Sequence, residues 1–146
     1  MKHYTVGVYF SDDFKKVALI LKNRPDWQKG LWNFPGGHVE LEETPNQCVV
    51  REFAEECKIN TENTDWLEIG KIKNNENYEV SVFTTVQQEN HGILTQNEDQ
   101  PVSWHYIDSL PNNIITNLPW LIEFALNFMK QGKCDKLVYG TFIYEN

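Results

Sequence analysis

A chain of 146 residues has room for one compact domain, and 40% hydrophobic with 13% aromatic residues supplies the apolar surface for a packed core. Disordered and collagen-like classes are thereby excluded. Thirteen Lys and Arg stand against 21 Asp and Glu, a net charge of -8, and so acidic a surface repels nucleic-acid phosphates and anionic lipid unless metal ions intervene.

Residues 3 to 10 alternate as a strand does, Ser11-Asp12-Asp13 supplies turn chemistry, and Lys15 to Lys22 reads as the returning strand of a hairpin. From Asn23 to Pro35 the pattern breaks into a loop rich in aromatics (Trp27, Trp32, Phe34), read here as a connector able to bind something. Thr44-Pro45-Asn46-Gln47 then sets a capping Thr, a proline at the first helical position and a Gln three residues after the cap, which predicts a helix over about 45–57. Trp66 to Lys73 and Tyr78 to Val86 read as strands, as does Val102 to Ile107 after a polar loop. Pro119 to Lys130 has helical spacing of Leu121, Phe124, Ala125 and Phe128, predicting a helix over about 119–130, and the β-prone tail from Lys136 to Tyr144 predicts a last strand. With no internal repeat or linker, the expectation is a single α+β domain over residues 1–146.

Three cysteines, Cys48, Cys57 and Cys134, make an odd set with no CxxC pair, and Cys48 and Cys57 on one helix stand roughly 13 Å apart along its axis. This is no disulfide framework, and a reducing cytoplasm fits best. No apolar run reaches the roughly 20 residues of a membrane span, so neither membrane nor nucleic acid is an expected partner. Phosphate-loop, GxSxG, HExxH and GxGxxG motifs are missing, and the four histidines lack zinc spacing.

The charge is concentrated. Residues 40 to 56 hold six glutamates and one arginine and carry -5 of the -8. On a helix, Glu52, Glu55 and Glu56 share a sector about 100° wide, beside a sector of Val49, Val50, Phe53, Ala54 and Cys57 that can face a core. Like charges at these spacings, near a helix C-terminus, destabilise a plain helix; a hard divalent cation such as Mg²⁺ would relieve the conflict, and the alternative from the charge run alone is a solvated acidic face.

The segment Gly37, Glu43, Arg51-Glu52-Phe53, Glu55-Glu56 and Ile59 resembles the Nudix box, G-x5-E-x7-R-E-U-x-E-E-x-G-U with U apolar, at eight of its nine specified positions. Trp32-Asn-Phe-Pro-Gly-Gly-His-Val-Glu40 before it and Trp104-His-Tyr-Ile-Asp-Ser-Leu-Pro111 after it are also similar to the family's usual sequence. The departure is Lys58, where the family has glycine; a lysine in the left-handed turn costs about 1 kcal/mol or displaces the helix stop, toward Asn60.

The resemblance implies an α/β/α sandwich with a mixed sheet and a Mg²⁺-dependent hydrolase, Mn²⁺ substituting, of nucleoside diphosphates linked to another group. The family's metal ligands fall on Glu52 and Glu56, with Glu55 close by, and on the carbonyl of Gly36. Arg51 and Glu43 carry over as a pair that holds loop to helix, and Gly37 opens the box. The base is Glu52, or Glu98 on a later loop, where Glu98 is also a candidate ligand. Arg24 is the candidate phosphate contact, Trp32 and Phe34 are candidates for stacking on a nucleobase, although packing is the favoured role for both and for Trp27, and Asn117 reads a base edge or caps the second helix. The short chain is similar to mutator-type nucleoside triphosphate pyrophosphohydrolases; alternatives are hydrolysis of ADP-ribose, nucleotide sugars or dinucleoside polyphosphates, and a non-catalytic nucleotide sensor. The partner expected is a small nucleotide, with the oligomeric state open between monomer and homodimer.

Overall fold

The computed structural model describes residues 1–74, 77–96, 99–130 and 140–144. Its elements are β1 (Lys2–Phe10), β2 (Lys16–Leu21), β3 (Trp32–Asn33), β4 (Gly36–His38), α1 (Pro45–Cys57), β5 (Leu67–Asn74), β6 (Tyr78–Val86), β7 (Val102–Tyr106), α2 (Leu118–Lys130) and β8 (Gly140–Tyr144). The sheet order is β3-β2-β1-β6-β5-β8, with β4 added on β1 and β7 on β2.

β1 organises the sheet. One edge runs parallel to β6 from Lys2 opposite Tyr78 to Phe10 opposite Val86. The other edge is divided: Phe10 pairs with Val17 of β2, whereas Tyr4, Thr5 and Val6 pair with His38, Gly37 and Gly36 of β4. β2 leaves β1 after that contact and on the same edge pairs with β3 through Ile20 and Leu21, while its other edge pairs with β7 from Lys16 to Ile20. The splay between β1 and β2 leaves a gap floored by β4.

Alternation along each strand sends side chains to two separate cores. Val8, Phe10, Val17 and Leu19 pack against Leu118, Leu121, Ile122, Ala125 and Phe128 of α2. Tyr9, Ala18, Ile20 and Phe83 pack against Val49, Phe53 and Cys57 of α1. The result is an α+β fold, a mixed sheet between two helices.

The helix α1 begins as its sequence predicts: the Thr44 hydroxyl accepts the Gln47 N–H at 3.1 Å and the Gln47 carboxamide accepts the Thr44 N–H at 2.9 Å. It also ends at Cys57, because Lys58 takes the left-handed conformation (φ 59°, ψ 26°) in place of the family's glycine, with the Lys58 and Ile59 N–H groups donating to the Phe53 carbonyl. The stop is not displaced, and the lysine bears the steric cost. Lys58→Gly is therefore expected to raise stability by about 0.5–1 kcal/mol, a few degrees in Tm, after allowing for the greater unfolded-chain freedom of glycine. A lower Tm would mean that the lysine charge at the helix C-terminus outweighs the strain.

Two short strands, β3 and β4, occupy part of the expected 23–35 connector and the residues beyond it. Neither is long enough to show alternation. They form because β2 and β1 offer unpaired edges there. Among the described residues, no helix is long and apolar enough to cross a membrane.

Candidate active site

The loop between β4 and α1 is tied to the helix by Arg51. Its Nε and Nη2 donate to the two oxygens of Glu43 at 2.7 and 2.9 Å, a bidentate pair, and Nη2 also donates to the His38 carbonyl at 3.2 Å. Nη1 reaches Glu52 Oε1 at 3.0 Å and Glu55 Oε2 at 3.3 Å, with Glu40 Oε1 at 3.7 Å. The Arg51 guanidinium holds the Glu43 carboxyl down to about 2, so this pair stays ionised throughout the physiological range.

The three glutamates of the acidic sector have different surroundings. Glu55 is on the solvent side, 59% exposed, against Arg51. Glu52 is only 14% exposed and lies over Gly37, where a Cβ would come within 2.3 Å of its Oε1. Glu56 accepts the Gly36 N–H at 3.0 Å. Gly36 itself is pressed against β1, where a Cβ would fall 2.0 Å from the Thr5 carbonyl oxygen. The paired glycines thus let strand and helix approach closely enough to enclose two carboxylates.

Glu52 and Glu56 hydrogen-bond to each other, and both are held above the ordinary carboxylate range. For Glu52 the main cause is burial, opposed by the Arg51 charge and reinforced by Glu55. For Glu56 it is burial and then the Glu52 charge, opposed by the Gly36 N–H and by Lys22. Two desolvated carboxyl groups sharing a proton are a strained pair that a cation relieves.

Beside this pair the splay of β1 and β2 opens a cavity of about 310 Å³. Tyr4, Thr5 and Val6 of β1, Gly36 and Gly37 of β4, and Lys22 beyond β2 line it together with Ile72, Val80, Ile115 and Leu121. Pro25, Trp27, Gln28, Asn33, Phe34, Tyr78 and Asn117 complete the walls.

The candidate residues from the sequence divide accordingly. Arg51, Glu43, Glu52, Glu55, Glu56, Gly36 and Gly37 come together. Phe34, 3% exposed, belongs to the α2-side core and lines the cavity. Asn117 lines it too, its carbonyl accepting the Leu121 N–H at 3.1 Å as α2 begins. Trp32 is elsewhere, packed on the same core with its ring edge-on to His105 at 4.4 Å between centroids. Arg24 is exposed and is not among the cavity residues. Glu98 and Cys134 lie outside the described residues.

Sequence reasoning missed Lys22, Gln28, Asn33 and Tyr78, and favoured packing for Trp27, which is 69% exposed at the cavity. Lys22 had a usable signal: it is the cation immediately after the apolar run of β2.

The NUDIX domain family model matches residues 1–127. The chain belongs to the Nudix family. It is 31% identical over 151 aligned positions to the uncharacterized Nudix hydrolase YvcI of Bacillus subtilis, covering 99% of this chain and 87% of that one. Among solved structures it resembles the mutator MutT protein of Bacillus halodurans (TM-score 0.70, 23% identity, 99% of this chain and 91% of that one). It also resembles an ADP-ribose pyrophosphatase of Streptococcus suis (TM-score 0.67, 19% identity, 98% of each chain). As a Nudix hydrolase, this chain is a pyrophosphohydrolase.

Nudix hydrolases generally use divalent metal ions, and the donor chemistry here fits one. Glu52 and Glu56 offer hard anionic oxygens that are crowded and proton-sharing without a cation. Among the described residues there is no cluster of three or more His, Cys, Asp or Glu side chains placed for a metal. Two carboxylates with open remaining positions suit a hard divalent cation that keeps waters and takes substrate phosphates.

Proposed function

We propose that residues 1–146 form one Mg²⁺-dependent domain, with Mn²⁺ as a substitute, that hydrolyses a nucleoside triphosphate to the monophosphate and pyrophosphate. The observation that carries this reading is the cavity itself, whose lining joins the glycines beneath the Glu52–Glu56 pair to apolar and aromatic walls. Phosphates belong at the glycine end and a nucleoside at the other. The volume of about 310 Å³ lies at the small end for ligand sites and suits one nucleoside better than the two nucleosides of a dinucleotide.

Glu52, Glu56 and the Gly36 carbonyl would hold the cation, which supplies neutralisation of the phosphate oxygens that otherwise repel an attacking water. Glu52 orients that water and accepts its proton, with Glu98 the alternative base. Arg51 keeps Glu52 in place through its 3.0 Å contact while Glu43 fixes the guanidinium. Glu55 tunes the same arginine from the solvent side. Lys22 faces Glu56 and adds a positive charge for the phosphates, a role for which Arg24 is the outer candidate.

The test is a substrate panel with Mg²⁺. Triphosphates are expected to give kcat/KM at least about tenfold above ADP-ribose, nucleotide sugars and dinucleoside polyphosphates, with pyrophosphate as product. Preference for ADP-ribose would refute the triphosphate reading, and binding without turnover across the panel would refute hydrolysis.

A further inference from the structure

Within the cavity a chain of amide contacts fixes the orientation of one side chain. The Phe34 backbone N–H can only donate, and it donates to Asn33 Oδ1 at 2.7 Å. The other end of the Asn33 carboxamide is therefore its NH₂ group, which donates to Gln28 Oε1 at 3.1 Å. Gln28 is left with its own NH₂ group, which has no hydrogen-bond partner among the described residues. Gln28 and Asn33 both line the cavity, and Trp27, adjacent to Gln28 on the 3-10 turn Asp26–Gln28, presents an exposed indole there. The site thus offers an aromatic face beside a hydrogen-bond donor whose polarity is set by the backbone of Phe34.

We propose that Gln28 is the specificity-determining residue for the base, its NH₂ group donating to a carbonyl oxygen at position 6 of a purine, with Asn33 as the positioning residue that fixes this polarity. The proposal rests on the nucleotide reading of the cavity. A 6-oxopurine meets the donor with an acceptor, whereas a 6-aminopurine sets N–H against N–H and leaves both unpaired. The sequence Trp32-Asn33-Phe34 gives no hint of this, because the polarity follows from a contact between β3 and the 3-10 turn before it.

Inosine and adenosine nucleotides differ at this edge of the purine and share the rest of the molecule, so they are the probes. Wild-type protein is expected to favour inosine over adenosine triphosphate by about tenfold or more in kcat/KM, and inosine over adenosine monophosphate similarly in Kd. Gln28→Leu removes the donor while keeping the bulk, and both ratios should fall to within about threefold of one. Asn33→Asp is the sharper variant. The new carboxylate still accepts the Phe34 N–H but cannot donate to Gln28, so the Gln28 amide turns over, presents Oε1 to the base, and the preference moves at least about tenfold toward adenosine. A loss of packing would weaken both nucleotides together and leave the ratio alone. Wild-type ratios within twofold of one, or a folded variant of either kind with the wild-type ratio, overturn the proposal. Failure to hydrolyse either triphosphate would instead overturn the triphosphate reading, while the monophosphate binding ratio still decides the role of Gln28.

Discussion

Glu52→Gln and Glu56→Gln are each expected to lower metal-dependent kcat by about 10³-fold or more while the fold is kept, and metal-free Glu56→Gln should melt above the wild type. The loss follows if the carboxylates seat the cation and, at Glu52, take a proton from water; an amide does neither. The gain in stability follows from the strain already described, since burial and the mutual charge of Glu52 and Glu56 disfavour ionisation of both. A neutral amide of the same size in Glu56→Gln removes that repulsion, for about 1–2 kcal/mol.

The same pair predicts the pH dependence of the metal-free protein. In the folded state both carboxyls titrate above their unfolded values near 4.3, so between the two ranges the native state binds more protons than the unfolded chain. Stability from this pair is greatest at low pH and is lost as the pH rises through the raised folded values. Wild-type Tm without metal should therefore fall from about pH 5 toward neutrality, less steeply in Glu56→Gln, while added Mg²⁺ restores it at neutral pH. Undiminished turnover in both variants would remove these residues from the chemistry. A metal-free Tm that rises over the same pH interval would remove the strained pair.

Gly37→Ala should cost about 10²-fold in kcat/KM with little change in Tm, whereas Gly36→Ala should compromise folding itself. The two glycines are adjacent but meet different obstacles. A methyl group at Gly37 would come within 2.3 Å of Glu52 Oε1, the free end of a flexible side chain that can move aside cheaply. What moves is the proposed base, and a displacement near 1 Å is enough for a loss of that size. A methyl group at Gly36 would fall 2.0 Å from the Thr5 carbonyl and 2.8 Å from the Val6 Cα, backbone atoms in the centre of the sheet. They cannot yield without breaking the β1–β4 pairing that floors the cavity. Thermal unfolding and steady-state kinetics on both variants check this, and equal stability loss in the two would contradict it.

Much of the local structure is legible in the sequence because its causes are local. The Thr44–Gln47 reciprocal cap, Pro45 and the apolar sector through Phe53 and Cys57 fix α1 without reference to the rest of the chain. The hairpin strands and α2 follow from alternation and helical spacing, α2 starting one residue early at Leu118. The spacing of Arg51, Glu52, Glu55 and Glu56 identifies the family and the acidic face. That face is not uniform, however: its 100° sector has Glu55 at the solvent edge and buries Glu52 and Glu56, because β4 covers one side of the helix and not the other.

The sequence by itself therefore determined the helix, its acid spacing and the location of most of the net charge, all set by contacts within one turn or one strand. Only the tertiary structure decided which acids become a strained pair, since their burial depends on Gly36 and Gly37 arriving from β4 against β1. It also decided that Lys22, Trp27 and Gln28 line the cavity while Trp32 packs on the core beside His105. Those placements depend on where β2 parts from β1. No residue in the connector encodes that divergence, because it is a property of strand pairing across the whole sheet.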